Sequence, residues 1–339
     1  MAQTPEAVLK EIRAKHFKPV YFLYGDEPYY IDLIAEELEK RVVPEAGKGF
    51  NQFVIYGKDS DLAGALGYAK RYPFMAERQL VWIKDSHNLS GIKDKDQQQR
   101  LEDYALNPLS STVLVFCYHD KADERKTFVK ACGKHGAVVH SKRLYDNKLP
   151  DWVRNYCHAQ GVKISPKAEQ MLVTNIGNDL KRIVSEIQKV LINMKAGEGI
   201  DADSIERFVG ISKEYNVFEF QKALGQRDVF KANSIATHFA ANPKDNPLAP
   251  VLIILYSFFT KVLLTHATTD RSDGGLASLL GVNPFFVKDY TLAARNYPIG
   301  KVANIIHYLR QTDAQMKGVD SGSTDDGELL KQLVFEIIH

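Results

Sequence analysis

Pro19-Val-Tyr-Phe-Leu-Tyr24 runs directly into Gly25-Asp26-Glu27-Pro28, and then into a stretch whose apolar residues Ile31, Ile34, Ala35, Leu38 and Val42 recur every three or four positions. The opening run is rich in aromatic and branched side chains, which suit a buried pleated strand. The glycine and two carboxylates mark a turn, and the spacing after it predicts an amphipathic helix laying one face on a sheet. Further strands are expected at Gln52–Tyr56, Gln79–Lys84, Thr112–Tyr118 and Ala137–His140, with helices at 61–72, 96–107 and 121–135 between them. Strands alternating with helices of this length are joined by right-handed crossovers, which set the strands parallel and cover both faces of the sheet. Residues 1–143 are therefore read as an α/β domain.

Beyond residue 147 the strand signals stop. A helix is expected at Leu149–Ala159, and Ser165-Pro166 supplies an N-cap and an N1 proline for the next. Leu180, Ile183, Val184, Ile187, Val190 and Leu191 form one stripe of a third helix that ends near Asn193, ahead of Gly197-Glu198-Gly199. These make a small helical domain, 144–210. After Gly210 the pattern is helical throughout, at 217–224, 229–241, 248–266, 276–280, 284–296, 301–316 and 328–338, with Gly-, Ser- and Asp-rich loops at 268–275 and 318–327. The expectation for 211–339 is an all-α domain.

Three domains agree with a length of 339 residues, which exceeds what one hydrophobic core fills. With 45% apolar and 25% charged residues, the chain has the composition of a folded globular protein. The 44 basic and 42 acidic residues give a net charge of +2, so there is no global electrostatic drive toward nucleic acid and any DNA contact must be local. Met1-Ala2-Gln3-Thr4-Pro5-Glu6 shows no secretory n-region or h-region, and a cytoplasmic location is expected. The most apolar stretch, 248–264, is interrupted by Pro250 and Lys261 and is short for a spanning helix, so it is read as a core helix and no membrane is expected. Cys117, Cys132 and Cys157 lie far apart, as free thiols in a reducing compartment. Cys132, His135, His140, Cys157 and His158 lack the paired spacing of structural zinc ligands, so no metal is expected.

The turn after the first strand is where a nucleotide-binding α/β protein carries its phosphate loop. Such a loop needs glycines for its backbone cradle, then Lys followed by Ser or Thr. Gly25-Asp26-Glu27-Pro28-Tyr29-Tyr30 has one glycine and no lysine, and it places two carboxylates where phosphate would sit. At the start of a helix those carboxylates are well placed against its dipole. Val81-Trp82-Ile83-Lys84-Asp85-Ser86 ends in a single Asp rather than the acidic pair of a magnesium-binding ATPase strand. No G-x-S-x-G, H-E-x-x-H or G-x-G-x-x-G occurs. Neither catalytic residues nor a cofactor are expected.

Pro19-Val-Tyr-Phe-Leu-Tyr-Gly-Asp-Glu-Pro-Tyr-Tyr-Ile31, Tyr72-Pro-Phe-Met-Ala-Glu-Arg-Gln-Leu-Val-Trp-Ile83 and Gly177-Asn-Asp-Leu-Lys-Arg-Ile-Val-Ser-Glu-Ile-Gln-Lys189 resemble, in order and spacing, segments of the DNA polymerase III delta subunit family. More diffusely, Asn296-Tyr297, residues 313–317 and Glu328-Leu-Leu330 are similar to its C-terminal collar. The resemblance runs the whole length. It implies an AAA-type ATPase-like fold without a working phosphate loop, a lid-like second domain and a collar for oligomerisation. The implied role is that of a non-catalytic subunit of the DNA-directed DNA polymerase (nucleotidyltransferase) holoenzyme, which binds and opens the sliding clamp so that it can be loaded on primed DNA. Implied partners are the beta clamp, the tau/gamma motor subunits and delta prime through the collar, and primer-template DNA in the assembled complex. The clamp-contacting element is implied to be a short helix before Gln79–Lys84, its tip bearing Phe74 and Met75. Some family members carry Leu-Phe there, so the pair is either Phe74 and Met75 or Pro73 and Phe74.

Read from the residues alone, Phe74 and Met75 are either anchors that fill a partner's pocket or core residues beneath the following strand. The competing assignments are a motor ATPase or delta prime-like stator of the same assembly, and a scaffold unrelated to replication. An intact lysine-bearing loop would mark the motor, and zinc-type cysteines would mark many motor or stator subunits; both are missing from this sequence. Lys288, Arg295, Lys301, Arg310 and Lys317 are cations of the third domain, but dispersed lysines and arginines are ordinarily a solvated surface, and none is assigned to DNA.

Overall fold

Five parallel strands, β1 (Val20–Tyr24), β2 (Gln52–Tyr56), β3 (Gln79–Lys84), β4 (Thr112–Tyr118) and β5 (Ala137–His140), lie in the order β2-β3-β4-β1-β5. The structure is a computed structural model describing residues 2–195, 197–319 and 324–339 and, of residue 146, the backbone alone. In register, Phe22 stands opposite Phe116 of β4 and Val138 of β5. The two central strands are almost wholly buried, whereas the β2 edge exposes Val54 and Tyr56. This difference explains why β1 and β4 read as unbroken apolar runs: a parallel strand covered on both faces has no solvent side to mark.

Alternate residues of β1 serve two cores. Tyr21 and Leu23 pack with Val8, Leu9 and Ile12 of α1 (Pro5–Arg13) and with Ile31, Ile34 and Leu38 of α2 (Pro28–Arg41). Phe22 and Tyr24 meet the other core, built from Leu62 and Leu66 of α4 (Leu62–Ala69), Leu101 and Tyr104 of α5 (Lys95–Leu106) and Phe128 of α6 (Thr127–His135). A one-turn helix, α3 (Lys48–Asn51), leads into β2. The α/β expectation holds, with α4 and α6 shorter than the sequence pattern indicated and α5 shifted by one residue. Helix α6 starts at 127 rather than 121 because Asp120 accepts the Lys121 N–H (2.7 Å) and Asp123 accepts the Arg125 N–H (3.0 Å). Such side-chain turns compete with helix. Helix α1 was not expected, although Thr4 caps it by accepting the Ala7 N–H and Pro5 occupies its first turn.

The described residues divide into two compact units, one of residues up to 146 with 178–182, the other of 147–177 with 183–339. In the second, α7 (Leu149–Ala159) and α8 (Pro166–Ile176) are joined by an Arg154–Glu169 ion pair at 2.7 Å. The stripe of Ile183, Ile187 and Val190 on α9 (Leu180–Asn193) is buried, and α10 (Ala202–Val209), also unexpected, begins at an Asp201–Ser204 capping box. Helices α11 (Val217–Gln226), α12 (Val229–Ala241), α13 (Leu248–Ala267), α14 (Asp273–Leu280), α15 (Val287–Asn296), α16 (Ile299–Met316) and α17 (Asp326–Ile338) follow. All seven contribute to one large core centred on Phe220, Phe258, Phe259, Tyr297, Ile305 and Leu333, α14 through Leu280 alone. Residues 320–323 of the expected 318–327 loop lie outside the described residues.

Helix α13 corrects one expectation. It runs unbroken for 20 residues with a mean hydropathy of 1.9, long and apolar enough to span a bilayer. Pro250 sits in its first turn, where an N–H has no helical partner to lose, and so does not break it. Leu255, Phe258, Phe259 and Val262 are buried in the unit's own core, and burial lowers the pKa of Lys261. The three cysteines are free and buried, and desolvation pushes the Cys132 thiol up to about 12, where it is inert.

Candidate functional site

Residues 70–78, which connect α4 to β3, form a bent segment without helix. The short helix implied by the resemblance is absent. Proline biases the residue before it, Tyr72, toward extended backbone, and Met75 adopts a left-handed φ of 48°, which interrupts a helical run. The segment is nevertheless pinned. Buried Gln79 donates from Nε2 to the carbonyls of Tyr68 (3.2 Å) and Arg71 and to Thr112 Oγ1 (2.7 Å), which fixes the entry from α4. Asn51, 1% exposed at the end of α3, accepts the Phe74 N–H at Oδ1 (2.6 Å) and donates from Nδ2 to the Phe74 carbonyl (3.0 Å). One amide thus replaces the two backbone bonds that a strand neighbour would supply.

The side chains of this pinned segment face solvent. Phe74 is 60% exposed, Met75 93% and Tyr72 79%, while Pro73 is half-buried. Phe50, the α3 residue before Asn51, is 67% exposed and its ring lies 5.5 Å from that of Phe74. Neither Phe74 nor Met75 belongs to the core. Large apolar side chains held together in water mark interaction surfaces. Phe50, Tyr72 and Asn51 were missed in the sequence. Adjacent aromatic residues carried a weak signal, whereas Asn51 carried none.

The turn between β1 and α2 uses its backbone internally. The Gly25 N–H donates to the carbonyls of Tyr118 (3.2 Å) and Asp120 (3.1 Å), and the Glu27 N–H to that of Ser141 (3.2 Å). Gly25 has φ 139°, and a Cβ there would fall 1.8 Å from Ser141 O. Glu27 caps α2 by accepting the Tyr29 N–H (3.0 Å); buried, its carboxyl is raised above the usual range by desolvation. Asp26 accepts the Arg143 N–H, which holds its pKa low.

A second cluster gathers where β3 and β4 end. His119 lies 3.0 Å from Asp85 through Nδ1 and 3.0 Å from Asp32 of α2 through Nε2; Asp32 also pairs with Lys181. The hydrogen bond to Asp32, outweighing desolvation, raises the imidazole pKa. Asp85, the single acid noted on that strand, His87 and His119 have donor atoms within 4.8 Å of one another. Among the described residues this is the group able to share an ion; Cys132, His135, His140, Cys157 and His158 do not form one. Of the third-domain cations, Lys301 donates to the Glu336 carbonyl (2.8 Å) and Lys317 pairs with Asp313 (2.6 Å).

The family model for DNA polymerase III, delta subunit, matches residues 21–142, and that for the DNA polymerase III delta subunit, C-terminal domain, matches residues 214–337. DNA polymerase III subunit delta of Bacillus subtilis (strain 168) is 28% identical over 338 residues, covering 98% of this chain and 96% of its own. The solved structure of the Bacillus subtilis DNA clamp loader delta protein superposes with a TM-score of 0.56 at 28% identity, over 98% of this chain and 99% of that one. With two models of one family spanning most of its length and full-length similarity besides, the chain belongs to the DNA polymerase III delta subunit family.

Proposed function

We propose that this chain binds the sliding clamp through Phe74 and Met75, and opens the ring so that it can be loaded on primed DNA during replication. The observation that supports this most is a pair of large apolar side chains held in solvent on a segment whose backbone is fixed by Asn51. Filling a pocket with a Phe and a Met is worth about 1.5–3 kcal/mol each, and a pre-ordered backbone spares the ordering cost. Half-buried Pro73 contributes at the edge, so the pair is Phe74 and Met75 rather than Pro73 and Phe74. Phe50 and Tyr72 widen the same patch.

The chain acts without catalysis of its own. In the β1–α2 turn the Gly25 and Glu27 N–H groups are bonded to backbone carbonyls and Asp26 and Glu27 stand at the helix start, an arrangement that favours this reading over a motor ATPase. The domains are 1–143 (ATPase-like, clamp-contacting), 144–210 (lid-like) and 211–339 (collar). The collar joins the tau/gamma motor subunits and delta prime, and exposed Phe230 on α12 and Ile253 on α13 support such docking. Primer-template DNA is a partner within the assembled complex, and the location is cytoplasmic.

Replacing Phe74 and Met75 together by Ala tests the assignment. Each truncation at an interface centre costs about 2 kcal/mol or more, so clamp affinity should fall by about several hundredfold. The thermal midpoint should hold, because exposed side chains contribute little to the core. Unchanged clamp affinity in the folded double variant refutes the site.

A further inference from the structure

The geometry points to a divalent transition-metal site of the Zn2+ class, held by Asp85, His87 and His119 at the C-terminal ends of β3 and β4. After Lys84 the chain turns sharply: Asp85 takes a left-handed φ of 49° and opens a 3-10 turn, Ser86–Asn88. The turn brings Asp85 and His87 to the same end of the sheet. Because β3 and β4 are parallel neighbours, with Ile83 opposite Phe116, the residue just past β4, His119, arrives beside them. The three donor atoms lie within 4.8 Å of one another, and Asp85 Oδ1 is 3.0 Å from His119 Nδ1. Around a tetrahedral ion with bonds near 2.1 Å, donors sit about 3.4 Å apart, which lies between the 3.0 Å of the Asp85–His119 pair and the 4.8 Å limit of the cluster.

Two further observations favour an ion over a chance cluster. His119 presents Nδ1 to the cluster while Nε2 lies 3.0 Å from Asp32, whose other oxygen is held by Lys181. A carboxylate on the far nitrogen is the usual support of a metal-binding imidazole, fixing its tautomer and orientation. His87 Nδ1 is buried from solvent and has no hydrogen-bond partner. His87 Nε2 is 3.0 Å from the Asn88 amide nitrogen; with that amide turned over, its oxygen accepts the Nε2–H and leaves the Nδ1 lone pair for the ion. The ion replaces the proton that Asp85 and His119 otherwise share.

Two imidazoles and one carboxylate suit Zn2+ and its neighbours and not Mg2+, which prefers oxygen ligands alone. The adjoining cleft of about 470 Å3, lined by Asp32, Glu36, Trp82, Asp85, His119 and Lys181, leaves the remaining coordination position open. In the lining Asp32, Asp85 and Glu36 outnumber Lys84 and Lys181.

The test is titration of the untagged full-length chain, stripped with chelator and exchanged, with Co2+ followed by visible absorption, then competition with Zn2+. One equivalent of Co2+ should bind with a tetrahedral-type spectrum, Zn2+ should displace it, and a large excess of Mg2+ should not. Asp32→Asn should weaken Zn2+ binding about 10–100-fold as an outer support. Asp85→Asn, a near-isosteric change at an exposed position, and His119→Gln should each weaken it at least as much, while exposed His158→Gln leaves it unchanged. Melting curves of the metal-free variants guard against misfolding. Absence of saturable one-to-one binding, displacement by Mg2+, or equal affinity in folded Asp85→Asn (an adventitious ion only) would overturn the site.

Discussion

Asn51→Ala removes a side chain that lies behind the proposed clamp anchor and faces away from any partner. Its amide makes two hydrogen bonds to the Phe74 backbone, at 2.6 and 3.0 Å. At about 1 kcal/mol net each, their loss releases about 2 kcal/mol of restraint on residues near 74. Clamp binding must then re-order the segment, and the affinity should fall by up to about 30-fold, smaller than the loss from removing Phe74 and Met75 themselves. The assay is equilibrium binding to the clamp ring, with a double-mutant cycle that separates positioning from general damage. If Asn51 acts by holding Phe74, adding Asn51→Ala to the Phe74→Ala, Met75→Ala background should cost little more, because there is no anchor left to position. A full and additive loss in that background, or wild-type affinity in the single variant, would refute the reasoning.

Two other outcomes follow from the geometry. Calorimetry with ATP and Mg2+ should detect no binding to the isolated chain, since the Gly25 and Glu27 N–H groups are already spent on carbonyls; stoichiometric binding would overturn that reading. Burial raises the Glu219 carboxyl, but Lys167 at 2.7 Å and Lys231 more than offset this and hold its pKa below the usual 4.5. The unfolded chain therefore takes up that proton first as pH falls, and the stabilisation is complete above the ordinary value and lost through the lowered one. Glu219→Gln should cost about 1 kcal/mol at neutral pH, and urea melts should show the difference shrinking on acidification; a difference that grows would count against the ion pairs.

What the residues disclosed by themselves was the set of elements formed by local pattern. The β1 and β4 strands are apolar runs, and the α9 stripe repeats at helical spacing, so each is specified by its own side chains. The functional surfaces are built differently. Asn51 and Phe74 are 23 residues apart, and Asp85 and His119 are 34 apart; crossover order and parallel register bring them together, and neither leaves a mark in a window of ten residues. The helix that the resemblance implied before β3 is lost to the same kind of contact. Met75-Ala-Glu-Arg78 has ordinary helical propensity, yet the Phe74 N–H is taken by an amide from another element, and Met75 turns left-handed. Propensity loses there to two long-range hydrogen bonds and the preceding proline. That loss also keeps Phe74 and Met75 exposed: an amphipathic helix of this length would turn one apolar face onto the sheet, whereas a bent segment fastened by its backbone leaves both side chains free to enter a partner.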